Sequence, residues 1–191
     1  MSDRLRIHLL RHPPPAVAEG ICYGQSDLGL ALPAASAAER LHALLPERYG
    51  VISSPLRRCR ELATALSADH RIDPRLQEIH FGDWEGRAWN DIPRADLDAW
   101  AAAPFDHTPP GGESATAMAA RVVAFAADLT PAPAPAAPEW VLVSHQGPLR
   151  VLLAYWLELP RECWFNFHFD FAGSTCIELS AGGGRLLWLN R

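Results

Sequence analysis

The stretch Leu5-Arg6-Ile7-His8-Leu9-Leu10-Arg11-His12 is a short, largely apolar run that ends abruptly in a cation and an imidazole. It reads as a buried β-strand whose last residues emerge at the sheet edge. The same pattern recurs twice along the chain. Val51-Ile52 stops at Ser53-Ser54-Pro55, with Arg57 and Arg58 just beyond, and Trp140 to Val143 stops at Ser144-His145-Gln146-Gly147-Pro148. Helical patterns separate these strands. Residues 34–45 are rich in alanine and leucine. Leu56, Cys59, Ala63 and Leu66 recur on one helical face, as do Met118, Val122, Phe125 and Leu129. An apolar helix is expected from about Gln146 to Leu157, and two further strands over Ser174–Leu179 and Arg185–Leu189. Strands alternating with helices predict an α/β fold: a three-layer α/β/α sandwich around a mostly parallel sheet.

A chain of 191 residues suits one domain with a sizeable core. We expect a single domain over 1–191 with a loop-rich, cap-like insertion at about 70–112, which holds Trp84, Trp89, Trp100 and Gly111-Gly112 and a short helix around 89–101. A serine cap at Ser54 followed by Pro55 predicts a helix start there. The alternating proline and alanine of Thr130 to Pro138 predict an extended surface connection. The aromatic alternation from Phe165 through Phe167 and Phe169 to Phe171 predicts a half-buried extended segment, packed inside the monomer or forming a homodimer surface.

The formal net charge of −5 gives no general attraction to nucleic acid or anionic lipid, so neither is an expected partner. No apolar run is long enough to span a membrane, and Met1-Ser2-Asp3-Arg4 does not open like a signal peptide. Cys22, Cys59, Cys163 and Cys176 are scattered without a CxxC pair, which predicts reduced thiols and a cytoplasmic protein. His8 and His12 are four apart, a spacing that makes half a metal site only on a helix. Here the segment reads as strand, and no metal is expected. His42 and His70 read as surface residues, and His107 as a substrate-contact candidate.

In a parallel α/β sheet, ligands bind beyond the carboxyl ends of the strands. Two imidazoles, several guanidinium groups and two helix N-termini are expected to converge there on an anion. Leu10-Arg11-His12 resembles the signature of the histidine phosphatase superfamily, which includes the cofactor-dependent phosphoglycerate mutases. Ser53-Ser54-Pro55-Leu56-Arg57-Arg58-Cys59, Leu76 to Gly86, Gly111-Gly112-Glu113-Ser114 and Val143-Ser144-His145-Gln146-Gly147 are similar to its further motifs, in the family's order and across most of the chain. The resemblance implies a phosphoglycerate mutase-like fold, no cofactor, and catalysis by His12, Glu78 and His145. His12 would be the nucleophile and Glu78 the proton donor. Phosphate would be bound by Arg11, Arg58 (rather than Arg57), His145 and Gln146.

Ile21-Cys22-Tyr23-Gly24-Gln25-Ser26-Asp27 resembles a segment common in the family's α-ribazole phosphatase branch. It implies a small phosphorylated substrate, with Tyr23, Gly24, Gln25 and Trp84 in its pocket. Two positions depart from the family pattern: Pro13 and Gln146 stand where glycine is common. Two other functions therefore stay open, a mutase-like phosphotransferase and a catalytically weak phospholigand-binding protein.

Overall fold

The computed structural model describes residues 4–129 and 139–191. The proline–alanine stretch at 130–138 lies outside them. Six strands form one mixed sheet: β1 (Leu5–Arg11), β2 (Gly50–Ser53), β3 (His70–Ile72), β4 (Glu139–Ser144), β5 (Ser174–Ser180) and β6 (Gly183–Trp188), in the order β3-β2-β4-β1-β5-β6. β1 to β4 run parallel to one another, while β5 pairs antiparallel with β1 and β6 antiparallel with β5.

Pleating explains the layers. Leu10 of β1, Val51 of β2, and Val141 and Val143 of β4 pack on α1 (Ala35–His42) and α2 (Arg57–Leu66), through Leu41, Cys59, Leu62 and Leu66. Ile7, Leu9, Ile52 and Leu142 point the other way. They meet α4 (Ala115–Leu129) and α5 (Gln146–Trp156) through Met118, Val122, Phe125, Leu149 and Leu152. Helices on both faces of a sheet buried on both sides give the predicted α/β/α sandwich. No helix among the described residues is long and apolar enough to cross a membrane.

β3 was not expected from the sequence. It has three residues, two of them exposed, and lies at the sheet edge with Ile72 45% exposed, so it carries no apolar run to betray it. Between β3 and α4 the chain makes three short 3-10 turns and α3 (Arg94–Ala102). Here Trp84, Trp89 and Trp100 pack with Phe81, Trp89 and Trp100 being stacked at 5.8 Å. The phenylalanine alternation also reads differently in the structure. Arg161–Asn166 forms a 3-10 helix, Phe167 after it is extended, and Phe171-Ala172 form a turn. Phe169 is buried, whereas Phe165 and Phe171 are exposed.

Candidate active site

The strand order puts β2, β4 and β1 side by side, so the three polar strand ends become neighbours. The ladder continues one step past the strands: His12 N–H donates to the Ser144 carbonyl (3.1 Å) and Ser54 N–H to that of Val143 (2.9 Å). His12, Ser54 and His145 thus leave the sheet together, and the two imidazoles meet with ring centroids 5.0 Å apart.

His12 is 2% exposed. Its Nδ1 donates to the Pro13 carbonyl at 2.6 Å, which assigns the proton to Nδ1 and makes Nε2 the ring's unprotonated nitrogen. Proline lacks an N–H but keeps its carbonyl, so Pro13 preserves this contact and, with φ fixed by its ring, stiffens it. The Nε2 atom faces Arg58 Nε at 3.2 Å, and the same Nε lies 3.2 Å from His145 Nδ1. One N–H is therefore shared between two ring acceptors. His145 in turn directs Nε2–H at the Ser54 hydroxyl (2.8 Å), and Cys59 Sγ sits 3.4 Å from that nitrogen.

Arg58 is fully buried in the first turn of α2. Its remaining donors reach two backbone carbonyls, Nη1 to Ser26 at 2.8 Å and Nη2 to Gly24 at 2.6 Å. The Tyr23-Gly24-Gln25 segment therefore acts first as a cradle for this guanidinium. Gly24 is required by close approach, since a Cβ there would lie 2.3 Å from the Ile79 carbonyl oxygen and 2.5 Å from Glu85 Oε1. Glu85 staples the same loop by accepting from Gln25 N–H, Ser26 N–H and the Ser26 hydroxyl. Burial alone would raise the Glu85 pKa, but these bonds and one from Phe81 N–H together hold it below the usual carboxylate value.

Burial also acts on both imidazoles. It pushes His12 well below 6.5, aided by the charges of Arg58 and Arg11 against the opposing pull of the Pro13 carbonyl. It does the same to His145, aided by His12, Arg58, Arg11 and Arg121. Both rings are neutral when folded. The unfolded chain binds their protons first, so stability falls as the pH drops below about 6.5, by up to about 1.4 kcal/mol per pH unit for each ring. Urea midpoints between pH 7.5 and 5 should show this loss. His12→Asn should flatten the slope by one proton's worth, and an unchanged slope would show that His12 is not held neutral.

Arg11 closes the other side. Its Nη1 donates to the Phe169 carbonyl (2.6 Å) and to Gln146 Oε1 (3.2 Å), while its guanidinium carbon lies 3.7 Å over the Phe171 ring. Its buried Nε has no partner in the structure. Tyr23 lies beside it, and Arg58 sits 5.3 Å over the Tyr23 ring. The Gln146 side chain is occupied in tying Arg11 to Phe169 N–H (3.1 Å).

Glu78 lines an adjoining cleft of about 200 Å³. Its carboxylate accepts from Ile79 N–H at 2.9 Å and Gly147 N–H at 3.3 Å. Gly147 permits this approach, because a Cβ would stand 2.4 Å from Glu78 Oε1. The other walls are mostly apolar: Phe81, Trp100, Met118, Trp164 and Phe165, with Arg150 as the one cation. Arg150 Nε donates to the Phe167 carbonyl at 2.6 Å.

Several sequence expectations need correction here. Trp84 is 1% exposed and stacks on His107 inside the aromatic cluster, so it forms no wall of the cleft. Gln25 Nε2 is spent on the Glu78 carbonyl (3.0 Å) rather than pointing into the cleft. α2 begins at Arg57 with Leu56 as its cap, and Ser54 instead accepts from Leu56 N–H. The helix N-termini are partly committed: Arg57 N–H goes to Asp27 (2.5 Å) and Gly147 N–H to Glu78. Sequence reasoning missed Phe171, Arg150, Trp164, Phe165, Phe81 and Met118. The aromatic run at 164–171 was the available signal, and it read as core.

This arrangement offers a neutral nucleophilic nitrogen beside two guanidinium groups, with a carboxyl group at the mouth of an apolar cleft. Comparison with known proteins points the same way. Residues 7–191 match the model of the histidine phosphatase superfamily (branch 1). The chain is 30% identical to the adenosylcobalamin/alpha-ribazole phosphatase of Salmonella typhimurium, over 97% of this chain and 96% of that one. Among solved structures it resembles the alpha-ribazole phosphatase of Shigella flexneri (TM-score 0.86, 29% identity, 97% of this chain and 96% of that one). It also resembles a mycobacterial glucosyl-3-phosphoglycerate phosphatase (TM-score 0.79, 31% identity, 98% and 99%). A match over nearly the whole chain, with the motif residues gathered at the carboxyl ends of neighbouring strands, makes the protein a member of the histidine phosphatase superfamily, branch 1.

Proposed function

We propose that this phosphatase cleaves a small phosphomonoester through a phosphohistidine on His12 Nε2. The observation that carries the proposal is the His12 ring itself, buried, with Nδ1 donating to the Pro13 carbonyl and Nε2 beside Arg58. Nε2 attacks phosphorus, and the bond to the leaving alkoxide breaks as Glu78 donates its proton to that oxygen. The phosphorylated ring is then cationic, and the Pro13 carbonyl stabilises its remaining N–H. Water attacks the same phosphorus, Glu78 takes its proton, and inorganic phosphate leaves. Arg58 and Arg11 neutralise the non-bridging oxygens, where the transition-state charge resides. The unpartnered Arg11 Nε is a donor available for that purpose. His145 Nδ1 becomes a donor when a substrate bound as its monoanion passes its proton to that nitrogen.

For the substrate we propose α-ribazole 5'-phosphate, formed in cobalamin biosynthesis and handled in the cytoplasm. Three observations support it: relatives so named, the Tyr23-to-Asp27 segment, and a cleft beside Glu78 walled by aromatic rings that suit a flat leaving group. Four free cysteines fit a reducing compartment. The test is a panel of esters. The value of kcat/KM for α-ribazole 5'-phosphate should exceed that for glucosyl-3-phosphoglycerate and for phosphoserine by about 100-fold, the ratio that two lost aromatic contacts would account for. Trp100→Ala should raise its KM about 10-fold with little change in kcat. Preference for a carboxylated ester would overturn this choice of substrate.

A further inference from the structure

We infer that Arg121, with Glu113 and Gln25, is a positioning device for the proton donor Glu78, an inference that rests on the acid role proposed above. Arg121 lies on α4, away from His12, yet its guanidinium is devoted to the backbone that carries Glu78. Nη1 donates to the carbonyls of Arg75 (2.8 Å) and Gln77 (2.7 Å), and Nη2 to the carbonyl of Glu78 itself (2.9 Å). Glu113 neutralises the cation, accepting from Nη2 at 2.6 Å and from Nε at 3.3 Å. The same carboxylate oxygen accepts His80 N–H at 3.0 Å, two residues past Glu78. Gln25 Nε2 supplies another donor to the Glu78 carbonyl, and it lies 3.4 Å from Glu113 Oε1.

The segment from 77 to 80 forms no helix or strand through the acid, since the last 3-10 residue is Leu76. Its geometry is therefore set from outside. Residues before and after Glu78 are tied to one planar fork and its counter-ion, which lysine cannot reproduce with a single point charge. Arg121 is anchored on the same helix as Met118, so one helix carries both a wall of the cleft and the tie to the acid's backbone. An acid displaced by about 1 Å transfers its proton poorly, and losses of about 100-fold follow from such displacements. The step that phosphorylates His12 suffers only with esters whose leaving group needs a proton, whereas hydrolysis of the phosphohistidine is slowed whatever the ester.

Leaving-group dependence tests this. Wild type, Arg121→Lys, Gln25→Ala and Glu78→Gln are assayed with an alkyl phosphate and with 4-nitrophenyl phosphate, whose leaving group departs without a proton. Thermal melts are recorded on the same samples. Arg121→Lys should lose about 30- to 100-fold in kcat/KM, which reports the steps through departure of the leaving group, on the alkyl ester and less than about threefold on the nitrophenyl ester. Gln25→Ala should show the same selectivity at about three- to tenfold, and it carries the test if Arg121→Lys melts below the assay temperature. Equal losses on both esters in a folded variant would overturn the inference and leave Arg121 a structural residue. Glu78→Gln separates the two levels: a loss in kcat/KM confined to the alkyl ester upholds the acid role, whereas equal loss in kcat/KM on both esters removes that role and the clamp's purpose with it.

Discussion

His12→Ala is expected to lower kcat for any phosphomonoester by about 10⁴-fold or more, because no second nitrogen in the site can take over the attack. The imidazole packed on His12, His145, has its Nε2–H turned to Ser54 and shares its Nδ1 with the Arg58 N–H. Phosphate binding should survive, since Arg58 keeps its bonds to the Gly24 and Ser26 carbonyls and the Arg58 Nε–H still has His145 as acceptor. The variant should therefore bind inorganic phosphate within about tenfold of wild type while failing to turn over, a split between binding and chemistry. Titration calorimetry and single-turnover kinetics check the two halves. Residual turnover above about 1% of wild type would place the nucleophile elsewhere.

Arg58→Lys is expected to cost about 10²- to 10³-fold in kcat/KM and about 3 kcal/mol of stability. The side chain is fully buried, and three nitrogens serve four acceptors in different directions: two imidazoles and two backbone carbonyls. One ammonium cannot meet them all, so buried carbonyls lose their donors and the charge shifts away from His12. Its neighbour is the control. Arg57 has 61% of its side chain exposed and pairs with Glu61 one turn on, so Arg57→Lys should change kcat/KM by less than about twofold. Steady-state kinetics with urea unfolding on both variants decides. Equal effects at 57 and 58 would contradict the placement of the guanidinium.

The contrast between these two arginines shows how legible the site was. Strand ends are readable because an apolar run followed by a polar dipeptide forces the change from buried to exposed at a known residue. Leu10-Arg11-His12, Ile52-Ser53-Ser54 and Val143-Ser144-His145 fall where expected for that reason. β3 escaped because a three-residue edge strand buries almost nothing. The antiparallel attachment of β5 depends on pairing between distant segments, which period-2 patterning does not encode.

Side-chain partners were hardest to foresee. Gln25 and Gly24 were expected around the substrate, yet Gln25 bonds the Glu78 carbonyl and Gly24 bonds Arg58, because backbone carbonyls have no sequence signature as acceptors. Trp164 and Phe165 looked like core, since an aromatic run does not distinguish a packed interior from a cleft wall. Pro13 stands where glycine is common and has no N–H to offer a phosphate. The structure uses its carbonyl instead, an atom that every residue possesses.

The central claim is that His12 Nε2 carries the phosphoryl group. The most direct measurement is to mix the protein with a phosphorus-labelled monoester in excess EDTA, quench in alkali within milliseconds, and map the label, since phosphohistidine survives alkali. We predict label on the peptide containing His12, absent in His12→Ala, and accumulating in Glu78→Gln when 4-nitrophenyl phosphate is the donor. Substrate turnover with no protein-bound label, in wild type and in Glu78→Gln alike, would contradict the covalent mechanism and with it the role assigned to His12.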